Sequence, residues 1–183
     1  MSRIRLFGRP AVLLITALTI LTATGTGQKP GGSEKSGLNW TSLEEAIDRA
    51  GNEKKPVLLD VYTDWCGWCK KLDKETFNDP KVAEVLSNMF TLAKVNGESR
   101  EEIIYKDQKT NGIGLARGFG IRGYPAIIFL DEKGDMLTLI PGFLDAEQFL
   151  PVVKFIGTRE YENTDWEVYL KNYESSKKGG KTK

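Results

Sequence analysis

Val57-Leu58-Leu59-Asp60-Val61-Tyr62 is apolar at odd and even positions alike, apart from one aspartate. Side chains of a strand alternate between two faces, so such a run is stable only where both faces are covered. Ala126-Ile127-Ile128-Phe129-Leu130 is a second run of this kind, and Phe90 to Val95 is a third strand candidate. Such strands call for a sheet enclosed between helices rather than a sheet with one wet face.

Helix signals fill the gaps. Thr41-Ser42-Leu43-Glu44 has the pattern of a capping box, Leu43, Ala46, Ile47 and Ala50 share one helical face, and Gly51 suits the helix end. A second helix is expected from Cys66 through Lys70, Lys71 and Leu72, and Asn78-Asp79-Pro80 restarts one through Val82, Val85 and Leu86. Residues 97–114 are polar, with a helical piece expected at Glu101–Lys106, and Leu115 to Phe119 reads as a short helix ending at Gly120. Asp131 to Gly134 forms a turn into a hairpin partner at Met136 to Ile140. Asp145 with Gln148 caps a helix to about Phe155, and Thr164 with Glu167 repeats the pattern before a last helix. Crossover helices with an antiparallel hairpin predict an α/β fold: a mixed central sheet, helices on both faces, and an extra C-terminal helix.

The two ends differ from the middle. Residues 1–37 carry five Lys or Arg and one Glu, whereas residues 38–174 carry 17 basic and 24 acidic side chains. An acidic body argues against nucleic-acid binding, which relies on basic surface. Arg3, Arg5 and Arg9 precede an apolar stretch from Ala11 to Ala23, and Ala23-Thr24-Gly25 offers small residues for cleavage. Residues 1–25 are therefore expected to be an export signal, making the chain exported and, in a bacterium, periplasmic. The alternative is an uncleaved anchor, the one route by which this chain would meet a membrane. Residues 26–37 read as a linker, 38–174 as the folded domain, and the lysine-rich 175–183 as a disordered solubilising tail.

The chain has no histidine and two cysteines, Cys66 and Cys69. A C-x-x-C pair can be redox-active, half of a zinc site, or accidental. Zinc needs four ligands, and no second cysteine pair or histidine exists. Haem attachment needs a histidine where Lys70 stands. A structural bridge closing so short a loop would restrain little chain entropy. The redox reading remains, and the position supports it. A cysteine between a strand and the first turn of a helix faces unpaired N–H groups that favour thiolate. Cys66 is thus the expected nucleophile and the more exposed thiol, and Cys69, one turn deeper, resolves the mixed disulfide. Asp60 is costly in a buried strand unless hydrogen-bonded or functional, and burial would raise its pKa, making it a candidate proton acceptor for Cys69. The alternative is that Asp60 reaches solvent.

Asp60, Trp65-Cys66-Gly67-Trp68-Cys69-Lys70, Lys94-Val95-Asn96, Arg122-Gly123-Tyr124-Pro125 and Pro141-Gly142 occur in an order that resembles the thioredoxin superfamily. The resemblance covers residues 40 to about 156. It implies a thioredoxin fold, Cys66 and Cys69 as the catalytic pair, Asp60 as a buried acid, and a cis peptide before Pro125 beside the cysteines. It further implies that backbone at Tyr124 pairs with substrate, within a surface that includes Trp65, Gly67 and Trp68. Lys94 matches a family lysine near the acid, the alternative being an exposed lysine at a strand end. Trp68 departs from the proline of cytosolic thioredoxins and the histidine of strong oxidases. The Trp65-Cys66 and Thr76-Phe77-Asn78-Asp79-Pro80 motifs are most similar to exported bacterial thioredoxin-like proteins, including the C-terminal domain of thiol:disulfide interchange proteins.

The expected activity is protein thiol–disulfide exchange, as reductase or interchange protein, with no cofactor beyond the dithiol. Its partners would be disulfide or dithiol proteins and an upstream redox protein, and the chain itself a monomer. A binding module with little turnover is the alternative. A Cu(I) carrier is a third reading.

Overall fold

The computed structural model describes residues 37–179. The 1–25 signal and nearly all of the 26–37 linker lie outside the described residues. The described chain opens with β1 (Trp40–Thr41) and α1 (Leu43–Glu53), followed by β2 (Val57–Tyr62) and α2 (Gly67–Lys71). A π-helical stretch, Leu72–Phe77, continues from α2, and α3 (Pro80–Met89) and β3 (Thr91–Asn96) follow it. Next come β4 (Glu102–Tyr105), β5 (Gln108–Asn111), α4 (Gly112–Gly118), β6 (Ala126–Leu130), β7 (Met136–Pro141), α5 (Ala146–Gly157) and α6 (Trp166–Gly179).

Five strands form the main sheet in the order β1-β3-β2-β6-β7. β3 is parallel to both β1 and β2, whereas β6 runs antiparallel to β2 and β7. The mixed sheet is the one expected. Alternation then divides the core. Leu58, Leu92, Ile127 and Phe129 pack with Leu72, Phe77, Leu86 and Phe149 on one face. Val57, Leu59, Val61, Ala93, Ile128 and Leu130 pack with Leu43, Ala46, Ala50 and Leu115 on the other.

Several element ends differ from the sequence reading. Ser42, not Thr41, caps α1 by accepting from Glu45 N, because Thr41 belongs to β1 and its hydroxyl donates to Leu92 O at 3.2 Å. α1 passes through Gly51 to Glu53 and stops where Lys54 turns left-handed, at φ 55°. The Asp79 cap with Pro80 behind it and the Asp145–Gln148 capping box form as expected.

The helical piece expected at Glu101–Lys106 is instead the antiparallel hairpin β4–β5. Its turn is Lys106-Asp107, with φ of 52° and 61°, the conformation of the tightest hairpin turns. Turns of that type are signalled by Asn-Gly or Asp-Gly, and neither is present here. Tertiary contacts hold it: Ile103 and Tyr105 pack on the α1 side of the core, and the Glu44 carboxylate accepts from Ile104 N at 2.6 Å. The polar excursion closes at a neck where Gly112 lies against β3.

At the other end, α6 runs to Gly179, so residues 175–179 are helical where a disordered tail was expected. Trp166 and Tyr169 pack on Phe155 at 5.4 and 4.9 Å. Lys177 pairs with Glu147 at 2.8 Å, tying the last turns to α5. Packing, rather than the composition of the tail, decides the helix.

A Cβ added at Gly112 would stand 2.0 Å from the backbone oxygen of Asn96, whereas one at Gly118 would meet nothing within 4 Å. Gly112→Ala is therefore expected to cost about 1–3 kcal/mol in urea unfolding. Gly118→Ala is expected to be neutral or stabilising by up to about 1 kcal/mol. Equal unfolding midpoints for the two variants would show that the neck is not tightly closed.

Candidate active site

β2 ends at Tyr62, and four residues later Cys66 caps α2 in extended conformation (φ −71°, ψ 102°). Its N–H donates to Thr63 O at 3.1 Å, and its Sγ accepts from Cys69 N at 3.0 Å. Cys66 and Cys69 are joined as a disulfide with Cα atoms 5.3 Å apart. Both cysteines are 4% exposed, so the greater exposure expected of Cys66 is not present in the oxidised state.

The rim is aromatic. Trp65 and Trp68 are 68% and 57% exposed, unusual values for the largest apolar side chains and found here on both flanks of the bridge. Trp65 meets the edge of Tyr124 at 6.3 Å, and Trp68 leans on Phe143 at 5.4 Å. Lys71 Nζ lies over both Trp68 and Phe143, at 5.0 and 4.9 Å. A side chain at Gly67 would meet nothing within 4 Å, so the first residue of α2 leaves the approach open.

Tyr124–Pro125 is a cis peptide, as the resemblance implies. Pro125 is buried, and its carbonyl accepts from Gly142 N at 2.8 Å. Because Ala126 pairs with Val61, Pro125 stands at the end of β2 that leads to Cys66. The structure thus gathers Cys66, Cys69, Trp65, Gly67, Trp68, Tyr124 and Pro125 at one end of the sheet.

Asp60 lies on the face of β2 shared with Leu58, and the parallel register sets Lys94 opposite it. Asp60 is 1% exposed, which removes the alternative of a solvent-facing carboxylate. Its Oδ2 accepts from Lys94 Nζ at 3.1 Å, while its buried Oδ1 has no protein partner. Lys94 is itself buried, not a strand-end surface lysine, and also ion-pairs with Asp73 of the π-helical stretch. Trp40, Phe77 and Tyr62 surround its ammonium at 4.8, 5.7 and 5.8 Å.

Burial pushes the Asp60 carboxyl up to about 6; Asp73 adds to the push, and Lys94 opposes it. Burial also works against the charge of Lys94, but the two carboxylates outweigh it and raise its pKa. Asp73, Phe143 and Glu98, which accepts from the Trp65 indole at 3.0 Å, escaped the sequence reading. Asp73 lies one helical turn beyond Cys69, a spacing that could have singled it out. Nothing local marks Phe143 or Glu98, which reach the site by long-range folding.

This geometry agrees with comparisons to known proteins. Residues 43–157 match the family described as a thioredoxin-like domain, and the chain belongs to that family. It is 39% identical over 115 residues to the thiol:disulfide interchange protein DsbD of Yersinia pestis, covering 61% of this chain and 17% of that protein. With the DsbD of Pectobacterium atrosepticum it shares 33% over 135 residues, 71% of this chain and 21% of the other. The chain thus spans about a fifth of the length of these relatives. Among solved structures it is similar to the oxidised C-terminal domain of Neisseria meningitidis DsbD. That match has 25% identity and a TM-score of 0.51, covering 64% of this chain and 99% of the other. A thioredoxin-fold protein from Helicobacter pylori matches in fold, with TM-score 0.59 at 22% identity over 68% of this chain and 82% of the other.

A carboxyl whose pKa is higher in the folded state than in the unfolded chain binds its proton more readily when folded. It therefore costs stability as pH rises from the ordinary carboxylate range through about 6. Asp60→Asn removes that cost and leaves Lys94 paired with Asp73. The variant is expected to match the oxidised parent near pH 4 and to exceed it at pH 7, by about 1–3 kcal/mol. Urea midpoints at the two pH values measure the difference, and a variant less stable at pH 7 would contradict the assignment.

Proposed function

We propose that this chain is a cell-envelope protein thiol–disulfide oxidoreductase that uses Cys66 and Cys69 as a reductase or interchange dithiol. The observation that carries this reading is the disulfide at the junction of β2 and α2, flanked by two exposed tryptophans. Similarity to interchange proteins supports it.

In the reduced protein the thiolate of Cys66 attacks a substrate disulfide, forming a mixed disulfide and expelling one substrate thiolate. The N–H of Cys69, which points at Cys66 Sγ, favours that thiolate. Cys69 then gives its proton to the Asp60 carboxylate and attacks the Cys66 sulfur, releasing the second substrate thiolate. The substrate gains two electrons and the protein is left oxidised. With a pKa of about 6, Asp60 is mostly ionised at neutral pH yet basic enough to receive a proton. An upstream dithiol protein restores the reduced state. Substrate polypeptide is held by backbone pairing at Tyr124 and by the apolar faces of Trp65 and Trp68 over Gly67.

Export through residues 1–25 to the periplasm is part of this proposal. Among the described residues no helix is long and apolar enough to cross a membrane. No cofactor enters the cycle.

Reduction of insulin with dithiothreitol as electron source tests the activity. Catalysis well above the uncatalysed rate is expected, and tight insulin binding without turnover would favour a binding module instead. Cys69→Ser should trap mixed disulfides with partner proteins and Cys66→Ser should not; equal trapping would remove the distinction between the thiols. Brief iodoacetamide treatment of the reduced protein near neutral pH should label Cys66 first.

A further inference from the structure

The excursion between β3 and α4 returns to where it left. Ser99 N donates to Asn96 O at 3.0 Å, Ile113 N donates to Ser99 O at 3.4 Å, and Gly112 rests on the Asn96 carbonyl. Two groups at this neck point at the disulfide's aromatic wall. Glu98 Oε2 accepts from Trp65 Nε1 at 3.0 Å, and the carbonyl of Gly97 accepts from the Tyr124 hydroxyl at 3.2 Å. A Cβ at Gly97 would stand 2.4 Å from that hydroxyl, so a side chain there would displace the Tyr124 ring from this position. The Asn96 side chain then locks the neck to the loop before Cys66. Its Nδ2 donates to Asp64 Oδ2 at 3.1 Å, and its Oδ1 accepts from Glu98 N at 2.9 Å.

We propose that Glu98, at the neck of the β4–β5 excursion, is a positioning residue that sets the Trp65 indole against Tyr124, and so shapes the wall that recognises polypeptide disulfides. This rests on the exchange function proposed above. An indole as exposed as Trp65 has little packing to choose its rotamer, so one charge-assisted hydrogen bond decides where the ring stands. The Tyr124 ring, seated by Gly97, supplies the other half of the wall. Recognition by aromatic faces requires both rings to be in place before the peptide arrives, because ordering them afterwards would be subtracted from binding. A small disulfide that touches only sulfur does not use the wall. The excursion thereby acquires a role: its distal hairpin is anchored on Glu44 and, through the Tyr105 hydroxyl, on Gly134 O at 2.7 Å, so the neck is held from both ends.

The test compares the rate at which the pre-reduced protein is oxidised by a disulfide-containing peptide and by 2-hydroxyethyl disulfide. Glu98→Ala should slow the peptide reaction by about fivefold while changing the small-disulfide reaction by less than about twofold. Glu98→Gln, whose amide oxygen accepts the same indole hydrogen bond, should restore the peptide rate. An unchanged peptide rate in Glu98→Ala, or equal slowing with both disulfides, would overturn the inference. A parent that reacts with neither disulfide would instead defeat the proposed function. A structural readout decides the positioning in either case. With 5-fluorotryptophan incorporated, the ¹⁹F resonance lost in Trp65→Phe should shift or broaden in Glu98→Ala and recover in Glu98→Gln. A resonance at the parent position in Glu98→Ala overturns the inference whatever the activity.

Discussion

β2 has a neighbour on each edge and a layer of side chains on each face, so no residue of its middle meets water. Anything polar there must bring its own solvation. Asp60 does so incompletely: Lys94 reaches one oxygen and the other has no protein partner. Two carboxylates and one ammonium share this pocket, an arrangement with one negative charge too many for a low-dielectric interior. Protonation relieves the excess. Asp60, whose carboxyl is 1% exposed, takes that proton as pH falls through about 6. The net balance at each group follows from this count. For Asp60, burial outweighs one cation; for Lys94, two anions outweigh burial.

The same strand that carries the acid delivers the cysteines. Only Thr63, Asp64 and Trp65 separate β2 from Cys66, so the disulfide is fixed relative to the centre of the sheet. β6 begins beside that end and contributes Pro125, and the chain leaving β7 contributes Phe143. The site is therefore assembled from the ends of central elements whose interiors are immobilised by packing, while its aromatic rim remains in solvent. Such a division suits a reaction in which sulfur geometry must be constant and protein surfaces vary. The β4–β5 excursion and α6 lie outside this minimum. One braces the rim through its neck; the other extends the α5 side of the core with the Trp166, Tyr169 and Tyr173 stack.

Where a segment's hydrophobic pattern agreed with its environment, the sequence was sufficient. The runs at 57–62 and 126–130 read as strands and form them, and the capping residues Asp79 and Asp145 act within their own turns. Local chemistry of this kind also singled out Cys66, Cys69 and Asp60, because a dithiol at helical spacing and a carboxylate in an apolar strand stand out without any fold. The failures share a cause. Glu101–Lys106 has mild helical content but is a strand and turn, since Ile103 and Tyr105 find apolar surface on α1 and Glu44 takes up a strand N–H. The last turns of α6 look unstructured in composition and are held by α5.

Sequence by itself thus determined the layers of the fold, the place of the cysteine pair and the presence of one anomalous acid, because each rests on residues close in the chain. Tertiary structure alone decided what surrounds them. Lys94 meets Asp60 through strand register, Asp73 reaches Lys94 from the π-helical stretch after α2, and Glu98 reaches Trp65 across 33 residues of chain. The pKa of the acid and the seating of the aromatic wall follow from those encounters. Electrostatic and packing energies depend on distances in space, and a linear pattern carries such distances only within a turn or a strand.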